Sequence, residues 1–147
     1  MKELTLLLST CLFACSSEET GSSTFTTWGE EYIEEGIPAG EDGFVDGWSV
    51  KYDKFLVAFA NIQVADANGD VGGSAEQSFV VDNVQAGRKK LVSFADIEAK
   101  AWDRVSYQIN PPAADATLVS ATSKDLKILR DGGYSIYIEG TASKGGV

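Results

Sequence analysis

The chain has 147 residues, a formal net charge of −10, two cysteines and no histidine. Without histidine it has neither the commonest general base nor the commonest neutral metal ligand, and no Ser-His-Asp or Cys-His arrangement is open to it. The acidic balance sets it against nucleic acid and anionic lipid headgroups, and no glycine-rich phosphate loop with its lysine is present. In chain order, the first feature is a secretory layout: Lys2 as a positive start, an apolar run over 4–13, and the small residue Ala14 before Cys15. That run is too short to span a bilayer.

Leu12-Phe13-Ala14-Cys15 resembles the lipobox of bacterial lipoproteins. The resemblance implies a signal peptide over 1–14, cleavage before Cys15, and lipidation of Cys15 through a thioether. Cys11 is the competing site, but Thr10 fits the small-residue requirement less well than Ala14. Two or three acyl chains make a durable anchor where one would be marginal. In the family's sorting rule an aspartate after the cysteine retains the protein at the inner membrane; Ser16 stands here, which implies the outer membrane. Cleavage would remove Lys2 and Glu3 and leave the net charge unchanged. Both cysteines lie at or before the lipidation site, so the mature domain would have no thiol for a disulfide or a thiolate metal site.

Residues 15–24 are small and polar and read as a lipidated flexible tether. From 25 to 147 the chain has one domain's worth of sequence, in which glycines punctuate short apolar runs. The expectation is an all-β fold, a mainly antiparallel β-sandwich of immunoglobulin-like or prealbumin-like kind with one short helix. Trp48, Val50 and Tyr52 alternate with polar residues and predict a half-buried strand; 55–64 begins apolar on both faces and predicts a central one. Asn68-Gly69 marks a hairpin turn, and further strands are expected at 77–81, 90–94, 102–109, 116–121 and 134–142. Trp48, Val50, Phe55, Val57, Phe79, Trp102, Val105, Ile136 and Ile138 are the expected core, on facing sides of two sheets.

The helix is predicted at 124–131. Thr122 with Asp125 three residues on reads as an N-terminal cap, Leu126 and Leu129 share a face, and Gly132-Gly133 supplies a stop. A strand at 126–129 followed by an Asp-Gly-Gly hairpin is the competing reading. The last strand runs into Ser143-Lys144-Gly145-Gly146, which is hairpin chemistry. It implies a truncated chain whose pairing strand lies beyond Val147; a frayed natural tail is the other reading.

Two acidic groups are candidate cation sites, with calcium the implied ion. Asp66, Asn68 and Asp70 have the alternating oxygen spacing that opens a calcium loop, but Val71 stands where that loop needs glycine and Gln77 where it needs glutamate. A solvated hairpin explains them more simply. Glu30, Glu31, Glu34, Glu35, Glu41, Asp42 and Asp46 surround Trp28, Tyr32, Ile37, Phe44 and Trp48; a solvated acidic loop with a few aromatic anchors is the simpler reading, and a site where a cation or a basic partner relieves their mutual repulsion is the functional one.

Over 48–110 the order of features is similar to a domain of unknown function recurrent in bacterial lipoproteins, with a prealbumin-like sandwich. The matching runs are 48–52, 55–64, Phe79-Val80-Val81-Asp82 and Trp102-Asp103-Arg104-Val105-Ser106-Tyr107. The segment from Trp28-Gly29-Glu30-Glu31 to Ile37-Pro38 also resembles envelope lipoproteins. Neither resemblance brings a catalytic residue. The leading expectation is therefore a non-enzymatic, membrane-anchored envelope lipoprotein that binds a partner protein, cation or glycan through loops. An accessory subunit of an envelope complex, recruiting its partner by pairing along a sheet edge, is the alternative. A carboxylate-based hydrolase is the third reading.

Overall fold

The computed structural model describes residues 19–145. The signal segment, Cys15 and the chain end at Val147 lie outside the described residues. The fold is mainly β: strands β1 (Thr20–Thr27), β2 (Trp48–Ala65), β3 (Val71–Ala75), β4 (Phe79–Asp82), β5 (Lys89–Glu98), β6 (Arg104–Ile109), β7 (Thr117–Val119) and β8 (Ile136–Lys144), with helices α1 (Glu31–Glu34) and α2 (Ser123–Gly132). Strand β2 fuses the two strands expected at 48–52 and 55–64. It is the spine of a six-stranded sheet: β8 and then β6 pair along one edge, and β4 and then β3 along the other. β7 joins β4 in parallel, and β1 and β5 form a separate antiparallel pair.

Two bulges curl β2, one between Tyr52 and Lys54 and one between Ala60 and Gln63. Asn61 takes a left-handed φ of 51° at the second, a conformation that asparagine tolerates better than most residues. The bulge resets the alternation, so Phe59 and Ile62, three residues apart, enter the same apolar cluster with Phe25, Phe79 and Phe94. This cluster joins the two-stranded sheet to one face of the large sheet. On the opposite face Leu56, Ala58 and Val80 pack under α2 through Leu126 and Leu129.

Helix α2 forms where its cap predicts. The Thr122 side chain accepts from the Asp125 amide, the Asp125 carboxylate accepts from the Thr122 amide, and Gly133 closes the helix at φ +63°. Asp125 is buried, and its carboxylate forms an ion pair of 2.6 Å with Lys54 of β2, which ties the helix to the sheet.

Three expectations are corrected. Residues 20–24, read as tether, belong to β1, because their backbone finds a partner in β5 that no local signal announces. Val71–Ala75 is a strand that was not expected, rich in glycine because Gly72 and Gly73 lie under the rings of Trp102 and Phe94. Of the expected core only Val57 and Phe79 are buried; Val50, Phe55 and Trp102 are half-buried, and Trp48, Val105, Ile136 and Ile138 are exposed. The small sheet covers only part of its neighbour: it borders β6 at Tyr107 alone and leaves Val105, Ile136 and Ile138 exposed.

Candidate functional site

The two acidic groups do not assemble as cation sites. Asp66 Oδ1 accepts from the amides of Asn68 and Asp70, at 2.9 and 3.0 Å, and closes the β2–β3 hairpin; its Oδ2 takes the Lys100 ammonium at 3.0 Å. The Lys100 hydrogen bond, helped by those two amides, outweighs burial and holds the Asp66 carboxyl below the usual carboxylate range. Its oxygens are spent on the turn, so Asp66, Asn68 and Asp70 form an ordinary hairpin.

The 28–46 acids are spread around a folded loop. Glu34 Oε1 accepts from the Gly87 amide at 3.2 Å and so ties the loop to the β4–β5 turn, while Asp46 Oδ1 faces the Trp48 amide. Glu31, Glu35 and Asp42 border a hollow beside Tyr32, whose hydroxyl donates to the Asp42 carbonyl at 2.5 Å. Glu30 caps α1 through its backbone carbonyl, and Glu41 is exposed. Among the described residues no three acidic side chains come close enough to hold one metal ion. Adjacency in sequence did not become convergence in space.

What the fold does assemble is an open apolar edge. Among the described residues β6 and β8 pair with β2 alone, and their outer edges are free. The register sets Ile138 opposite Phe55, Ile136 opposite Val57 and Ile109 opposite Phe59. Residues directly opposite share a face, so these three isoleucines stand in a row about 7 Å apart, and strand alternation continues the row through Tyr107 and Val105. The five side chains are between 41% and 59% exposed. Over both strands only Arg104, Glu139 and Lys144 are charged. Beside the row lies a pit of about 270 Å³ lined by Phe25, Phe59, Ile62, Leu91 and Tyr107, where the small sheet meets the large one.

Soluble domains normally blunt such edges with charge, proline or a covering segment, and a contiguous exposed apolar strip marks an interaction surface. The sequence carried half of this signal, the period-two apolar residues of 105–109 and 136–138. That pattern names a face, not whether a second layer covers it. No protein-family model, curated protein or solved structure matches the chain.

Proposed function

We propose that this chain is an outer-membrane-anchored envelope lipoprotein, held by lipid on Cys15, whose β-sandwich domain recruits a partner protein by adding an extended segment of that partner to the β6–β8 edge. The row from Ile138 to Val105 carries the reading. Backbone groups along the edge supply hydrogen bonds for an incoming strand, and the apolar row with its pit selects alternate apolar side chains, one of them anchored in the pit. The net charge of −10 opposes a second copy of this chain and favours a neutral or basic partner. Lipidation at Cys15 rests on the lipobox alone.

The test is photo-crosslinking in native envelopes from probes placed at Ile138 and Ile109, with a third at Lys127 on α2 as control. Both edge probes are expected to capture one extended segment of the same partner, and Ile136→Lys is expected to abolish both products. Capture of the same partner from Lys127, crosslinks to a second copy of this chain, or products that persist in Ile136→Lys would overturn the edge reading. The anchor is checked separately: Cys15→Ser is expected to eliminate metabolic labelling with a fatty acid.

A further inference from the structure

Opposite the apolar face, at the far end of the large sheet, lies a hollow of about 400 Å³ lined by Asn61, Gln63, Ser74, Glu76, Ser106 and Gln108. The register explains the set: Gln63 stands opposite Ser74 on one side and Ser106 on the other, while Gln108 stands opposite Ala60 beside the bulge at Asn61. Three strands thus present short neutral polar side chains on one concave patch. Several of them are held in place. Gln108 Oε1 accepts from Asn61 Nδ2 at 2.6 Å and from Asn110 Nδ2 at 2.8 Å.

With its oxygen doubly engaged, the Gln108 amide presents its NH₂ as donor, and the carbonyl oxygens of Asn61 and Asn110 stay free as acceptors among the described residues. The Gln63 amide and the hydroxyls of Ser74 and Ser106 donate and accept. Asn61 reaches this network from a left-handed backbone, and strained residues at bulges concentrate at binding sites. The lining has no basic side chain to hold an anion and one carboxylate, Glu76, to repel it; it has too little apolar surface for a lipid-like ligand. A ligand dense in groups that both donate and accept matches it best.

We infer that this amide patch is a binding site for a neutral oligosaccharide. It lies on the other face of the sheet from the apolar row and stands independently of the partner reading. Prior fixing of Gln108, Asn61 and Asn110 lowers the ordering cost that makes sugar binding weak. The experiment is a titration of ¹⁵N-labelled protein with maltotriose and with chitotriose, followed at the side-chain NH₂ resonances. Those of Asn61, Gln63, Gln108 and Asn110 are expected to shift and saturate with at least one sugar, while that of Gln85, on the β4–β5 turn, stays put. Gln108→Ala, at an exposed position that leaves the fold intact, is expected to weaken binding on the order of tenfold, the effect of one lost hydrogen bond; Ile136→Lys is expected to leave it unchanged. Silence with both sugars, or equal affinity in Gln108→Ala, would overturn the assignment.

Discussion

Phe79→Ala is expected to remove about 3–5 kcal/mol of folding stability, the usual cost of truncating a buried aromatic side chain. Phe79 is 1% exposed and sits on β4 where that strand joins β2 to β7. Its ring packs with Ile62 and Ala75 and with Phe25 and Phe94 of the small sheet, so its loss opens a cavity between the two sheets. A domain of this size has about 5–15 kcal/mol in total, and the variant approaches the limit of folding. Urea unfolding measures the effect, with a lowered midpoint and unchanged slope expected. Phe55→Ala and Trp102→Ala, at half-buried sites, are expected to cost less than half as much. A loss under about 1 kcal/mol for Phe79→Ala would contradict the two-sheet core.

Asp125→Ala is expected to cost about 3 kcal/mol, because it removes a helix cap and one partner of an ion pair at a single stroke. Lys54 is about one-quarter exposed, so its ammonium regains some water and the loss falls toward the lower end for a broken buried pair. Burial pushes the Asp125 carboxyl up, but the Lys54 and Thr122 hydrogen bonds together outweigh it and hold the group below its ordinary value of 3.8. A carboxyl depressed in the folded state adds stability above its unfolded pKa and loses it as pH falls through the folded one. The contribution is therefore complete at neutral pH and fades as pH drops below 3.8. Lys54 is raised chiefly by the same hydrogen bond, so its part is complete below 10.5 and is lost as pH rises past that value. Melting curves across pH measure both limbs, and Asp125→Ala should flatten them. An unchanged acid limb in the variant would rule Asp125 out as its source.

The readable parts of the fold were those with local causes. Thr122, Asp125 and Gly133 place α2 within one residue of its expected ends because capping lies within a single turn of chain. The run from Phe55 announces a central strand because it is apolar on both faces, as only a strand covered on both sides can be. β1 was unreadable for the converse reason: Thr20-Gly21-Ser22-Ser23-Thr24 has the composition of a linker, and it is a strand only because β5, some seventy residues on, offers it partners. The same limit applied to the binding surfaces. Acidic residues near one another in sequence suggested a cation site, yet Glu34 and Asp46 turned to backbone amides. The amides of Asn61 and Gln108 come from separate strands, and only the register brings them together.

The dominance of β2 also shapes how the domain must be made. Its first half pairs with β8, Trp48 against Lys144, and its second half with β3 and β6. Contacts so distant along the chain are paid for in loop closure before they return any stability, which places folding in the slow range of milliseconds to seconds typical of such topologies. During synthesis or export the second half of β2 finds β3, β4 and β6 in turn, while one edge of its first half, from Trp48 to Val57, waits until β8 has been made. A chain that must wait in this way exposes a sticky strand for most of its passage and has strong reason to travel with a holding chaperone.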